Sequence, residues 1–199
     1  MVILSECRLH WEYGSVPRKR GKLGGATGSK RTLGGDMATA HDVAAYILGK
    51  SGRMTAMKLQ KLVYYSQAWH FVWDGVPLYQ EEVQAWANGP VIYDLYLAHR
   101  GKYWVEPDDV PGPTRMLSSD EASSVDSVLE TYGAMTAAQL SALTHSESPW
   151  VAARSGLAPT DRSKRTITLG SMGDYYGSLD ETDEGVVAVS SLGFPDWLS

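Results

Sequence analysis

Five histidines, one cysteine and a glycine-rich basic loop are the residues here whose types could do chemistry, and their spacing limits what that chemistry could be. His10, His41, His70, His99 and His145 are scattered, and no two stand at the i, i+4 separation that puts a pair of imidazoles on one helix face for zinc. Cys7 is alone, so one chain can form neither a disulfide nor a thiolate cluster. The stretch GGATGSK at 24–30 resembles a phosphate-binding loop in composition only. That loop needs Lys directly after Gly and a hydroxyl after Lys, whereas here Ser29 intervenes and Arg31 follows. A G-x-S-x-G nucleophile turn is absent. His145, between Thr144 and a Ser-Pro-Trp helix start, is the histidine best placed to be held by backbone donors. Its plainer role is structural, packing on Trp150 or bonding a turn carbonyl. No catalytic residue, metal ligand or cofactor is assigned, and the chain reads as a non-enzyme.

Aromatic side chains are more telling. Tyr64, Tyr65, Trp69, Phe71 and Trp73 fall within ten residues of one helical segment, too many to share a single core stripe. A thick core accounts for most of them. Tyr and Trp also dominate protein interfaces, because they offer large contact area with little rotamer entropy to lose. Partner contact is therefore assigned to Tyr64, Trp73, Trp86 and Tyr93, together with His145 and Trp150. Stacking of nucleic-acid bases would need Lys and Arg around these rings, and only Lys58 and Lys61 are near.

The elements that must position these residues are mainly helical. Thr39 with Asp42 caps a first helix carrying Val43, Ala44 and Ile47. Thr55 caps a second that runs to Asp74-Gly75 and is apolar around more than half its circumference. Partial alternation over 76–87 predicts a short β-hairpin or irregular ribbon. Asn88-Gly89-Pro90 predicts the start of a third helix, with Pro in the first turn, where its missing N–H costs nothing. That helix stops at Gly101, and 105–114 form a loop. Capping boxes at Ser118/Glu121 and Thr136/Gln139 open two more helices, Ser148-Pro149 a short one, and 169–176 a last. The fold class is mainly α with a minor β-hairpin, a compact single domain of six or seven helices.

Charge is uneven. Residues 1–36 hold seven Lys/Arg against three Asp/Glu, whereas 37–199 hold eleven against twenty. Residues 14–36, with seven Gly and six Lys/Arg, are expected to be disordered, and Met37 is an alternative start. The expected limits are a basic extension at 1–36, a domain at 37–176 and an acidic tail at 177–199 whose first half is mobile. An acidic domain suits a basic protein partner and disfavours a hold on phosphates. No secretory signal or apolar run of ~20 residues is apparent, so a cytoplasmic protein without a membrane partner is expected.

Three segments carry a family resemblance: LQKLVYYSQAWH at 59–70, EEVQAWANGPVIYDLY at 81–96 and LTHSESPWVAAR at 143–154. The helical run of the first, the Trp86-x-x-Gly89-Pro90-Val91 turn of the second and Thr144-His145-x-x-x-Pro149-Trp150 of the third resemble the Panacea domain. This is a family of prokaryotic and phage antitoxins that includes SocA-type proteolytic adaptors. The resemblance implies a protein that neutralises a cognate toxin encoded nearby by binding it. Its alternative is an adaptor that delivers the toxin to an ATP-dependent protease. A cryptic hydrolase or nucleotide-processing enzyme is the rival from another class, and the adjacent reading frame discriminates: a small toxin-like neighbour or a metabolic operon. Residues that tune this copy to one partner are expected outside the three segments.

Overall fold

Capping chemistry sets the helix starts. The computed structural model describes residues 16–17, 37–113 and 115–181. Helix α1 spans Ala40–Ser51, its first turn closed by the reciprocal Thr39–Asp42 box. Helix α2, Ala56–Asp74, is capped by Thr55 and ends at Gly75, whose φ of 69° is the left-handed conformation glycine adopts without strain. The boxes at Ser118/Glu121 and Thr136/Gln139 open α4 (Ser119–Tyr132) and α5 (Ala137–Ser146). Between α2 and α4 lies α3, Tyr93–His99; α6 is Ser148–Ala153 and α7 is Leu169–Glu181. Five short strands complete the described residues. β1 (Met54–Thr55) pairs antiparallel with β4 (Trp104–Val105). β2 (Val83–Trp86) lies between β3 (Gly89–Ile92) and β5 (Thr166–Ile167), both antiparallel to it. The mainly helical class with a minor β element is as the sequence implied.

α2 is the axis of the domain. At ~1.5 Å per residue its 19 residues span roughly 28 Å. Every residue from 59 to 70 is buried, because α1, α4, α5, α7 and β3 all pack against this helix. That answers the aromatic surplus. Tyr64, Tyr65 and Trp69 point in different directions yet all have zero exposure.

Three expectations change. Asn88-Gly89-Pro90 does not start a helix. A two-residue turn, Ala87-Asn88, joins β2 to β3, Gly89 closes it with φ of 100°, and α3 begins only at Tyr93. Pro90 is tolerated because β3 is an edge strand, where a missing N–H breaks no ladder. Second, within the stretch 14–36 expected to be disordered, Val16 packs against the core and Pro17 is buried. The remaining residues of 1–36, including Cys7, His10 and 24–30, lie outside the described residues. Third, α7 runs five residues past position 176, held by Leu179 against the core and by Trp73 Nε1 donating to Asp180 Oδ1 at 3.2 Å. Residues 182–199 of the expected tail lie outside the described residues.

α7 docks through a buried acid. Tyr65 and Tyr176 donate to Glu147 Oε2 at 3.1 and 2.6 Å, and the Tyr64 hydroxyl is 3.2 Å from that of Tyr176. Burial raises the Glu147 carboxyl to about 8, against which its hydroxyl donors are the smaller, lowering effect. A carboxyl whose folded value exceeds its unfolded one stabilises fully below about pH 4.5, and that contribution is lost as pH rises through about 8. Denaturant unfolding from pH 5 to 8 is expected to show wild-type stability falling relative to Glu147→Gln; parallel curves would contradict a buried proton. Trp73→Ala, which removes the hydrogen bond to Asp180 and the stacking on Trp69, is expected to lower stability by about 2 kcal/mol in the same assay.

Candidate functional site: a clamped hairpin beside an apolar groove

The three motif segments meet at the β2–β3 hairpin, where side chains of the surrounding helices occupy its carbonyls one after another. Arg154 Nη1 donates to Ala85 O at 3.0 Å, Trp150 Nε1 to Trp86 O at 2.9 Å, and Ser141 Oγ to Asn88 O at 3.1 Å. From α2, Lys61 Nζ donates to Pro90 O at 3.0 Å. Gln60 brackets Ile92, accepting from its N–H at 2.8 Å and donating to its carbonyl at 3.3 Å. Gln60 thus stands in for the neighbouring strand that the edge of β3 lacks.

Lys61 is 1% exposed. Burial lowers its basicity to about 7. Its end fills the space beneath the turn: a Cβ on Gly89 would come within 2.6 Å of Lys61 Cε and 2.9 Å of Thr144 Oγ1. His145, next in sequence to Thr144, stacks on Trp150 with ring centroids 4.1 Å apart. Burial first, then the positive fields of Lys61 and Arg154, push the imidazole down to about 4, so it is neutral at neutral pH. It thus joins the packing around the hairpin while also reaching a surface groove.

Beside the hairpin tip lies a groove of about 540 Å³. Its lining comes from the first turn of α2 (Ala56, Met57), the hairpin turn (Asn88), Tyr103 and, most of all, α5, through residues such as Ala138 and Ser141 as well as His145. Apolar surface extends from its rim. Met57 is 37% exposed, Tyr103 73% and Trp104 47%. Tyr103 and Trp104 pack edge to face at 5.5 Å, and the Arg53 guanidinium lies 4.8 Å above the Trp104 ring. Lys102 on the rim is ion-paired with Asp109. Among the described residues no group of three or more His, Cys, Asp or Glu could hold a metal. No helix of the described residues is long and apolar enough to cross a membrane. The arrangement can grip an apolar protein surface; Lys61 and Glu147 are buried in the core, and the imidazole of His145 that reaches the groove is neutral.

The six residues assigned to partner contact separate into three groups. Tyr64 is enclosed in the Glu147 cluster and cannot reach a partner, since α2 is covered on every side there. Trp73 is half-buried, stacked on Trp69 and bonded to α7, so it joins helices. His145 and Trp150 are buried members of the hairpin clamp. Trp86 and Tyr93 come together with Tyr96 in an aromatic cluster, with Tyr93 exposed at the surface. Sequence reasoning passed over Met57, Tyr103 and Trp104. The signal for the latter two was an aromatic pair standing alone between Gly101 and the Pro107-Asp108-Asp109 turn.

Comparison with known proteins places this arrangement. The family description "Antitoxin SocA-like, Panacea domain" matches residues 59–151. The chain is similar to Antitoxin SocA of Caulobacter vibrioides (strain NA1000 / CB15N), 32% identical over 127 residues that cover 56% of this chain and 68% of that protein. No solved structure matches. The family match runs through most of α2, the hairpin and its clamp apart from Arg154, and the 32% identity to a curated antitoxin covers 68% of that protein, so the chain belongs to the SocA-like, Panacea-domain antitoxin family.

Proposed function

We infer that this antitoxin neutralises a protein toxin by binding it directly, and that the groove between α2 and the hairpin is the seat of that contact. The observation that supports the reading is the concentration of exposed apolar side chains at one rim. Met57 on α2 and Tyr103 and Trp104 on the β4 segment project beside a concavity lined by small residues of α5 and by the hairpin turn, which helix side chains fix from within. A rigid wall with aromatic anchors loses little entropy on docking, which is what an interface hot spot requires. All three anchors lie outside the motif segments, so they can differ between family members without disturbing the clamp. The acidic balance of residues 37–199 favours a basic partner surface around this contact.

Tyr103→Ala and Met57→Ala, each confirmed to unfold at the wild-type midpoint, are expected to weaken binding of the product of the adjacent reading frame. Truncating an anchor costs ~2 kcal/mol, roughly thirtyfold in affinity. The same variants should fail to rescue cells expressing that product. Tyr93→Ala, on the other aromatic cluster, should rescue as wild type does; a defect at Tyr93 alone would move the contact to α3. Rescue that is lost only in a protease-deficient host would replace occlusion by delivery for degradation.

A further inference from the structure

We propose that Lys61 sets the width of the groove and is thereby a positioning residue for the partner, an inference that rests on the groove being the toxin contact. Lys61 stands four residues after Met57 on α2, so both project from the same rigid helix face. Met57 is part of the α2 lining of the groove and Asn88 is its hairpin lining. Lys61 passes under the hairpin and bonds Pro90 O, two residues from Asn88. One side chain therefore ties the α2 part of the lining to the hairpin part from inside.

Contact as well as bonding fixes that span. A Cβ on Gly89 would lie 2.6 and 2.8 Å from Lys61 Cε and Nζ, so the tip rests directly on the end of the lysine. Ser141 ties the same tip from α5 through Asn88 O. Held between these two, the turn can neither sink toward α2 nor lift away. Stability alone does not call for an amine here. A buried amine donating to a single carbonyl, that of Pro90, is expensive to desolvate, as its lowered basicity reflects, and methionine would fill similar space without that cost. What methionine lacks is the tie to Pro90.

The test is Lys61→Met in the full chain, read by unfolding midpoint, by amide hydrogen exchange along the hairpin, and by affinity for the adjacent-frame product. The midpoint is expected to hold or rise. Exchange at Gly89, Val91 and Ile92 is expected to quicken about tenfold while α2 and α4 stay protected, and affinity to fall by a similar factor. Ser141→Ala, which loosens the tip from its other side without entering the core, is expected to act in the same direction. Unchanged hairpin exchange in Lys61→Met overturns the proposal. So does a lowered midpoint with faster exchange throughout, or a variant that does not fold, because each makes Lys61 a core-stability residue. A wild-type chain that binds no adjacent-frame product refutes the toxin contact instead, and is recognised separately because the exchange pattern does not depend on it.

Discussion

A helix buried on every side cannot leave a polar side chain unanswered, and α2 carries five of them within its buried turns: Gln60, Lys61, Ser66, Gln67 and His70. Ser66 turns back to its own helix, donating to Leu62 O at 2.8 Å. The others reach outward and select what packs against them. Gln67 holds the link after α2 by accepting from Leu78 N and donating to Tyr79 O. Gln60 and Lys61 hold β3, and His70 Nδ1 lies 3.0 Å from Ser124 Oγ on α4. An unpaired buried donor or acceptor costs on the order of 1–3 kcal/mol, so each pairing penalises any other placement of that segment. Apolar packing would make α2 central; its amides and amine determine which connection lies where.

On the proposed reading, scaffold and recognition fall largely to different side chains. The motif-rich segments, which carry the family likeness, are spent on pairing α2 with the hairpin and on stacking His145 against Trp150. Such groups answer one another rather than a ligand. Asn88 and His145 of those segments reach the groove, but its exposed apolar rim comes from the first turn of α2 and the segment around β4. A fold organised this way can accept new anchors at positions 57, 103 and 104 while its interior stays the same.

Much of the fold was legible because helix starts are local events. Thr39 with Asp42, Ser118 with Glu121 and Thr136 with Gln139 announce themselves within four residues, and the structure has all three boxes. Asn88-Gly89-Pro90 was not decidable locally, since the same residues serve a helix start or a hairpin turn. What selects the turn is Lys61 beneath it and Ser141 beside it, 27 and 53 residues away from Asn88 in sequence. Tyr64 was misplaced for a related reason. Its hydroxyl suits an interface until Glu147 and Tyr176, far along the chain, supply a buried network for it. The groove was least legible. Its rim depends on β1 meeting β4, which pairs Met54 with Val105 and brings Tyr103 beside the α2 start, and neither two-residue strand has a periodicity to read.

Docking of α7 through Tyr176 has a consequence for how the protein is made. The face of α2 that carries Tyr64 and Trp69 is synthesised early, and the helix that covers it is the last element of the described chain. Until residues 169–181 have left the ribosome, a nascent chain holds a broad aromatic surface open to water and to chaperones. The Glu147 carboxyl, already in place between α5 and α6, then has no Tyr176 hydroxyl to receive. Completion of the domain is thus deferred until α7 has emerged, and a chain interrupted before that point is left with the sticky, solvent-facing core that quality-control machinery recognises.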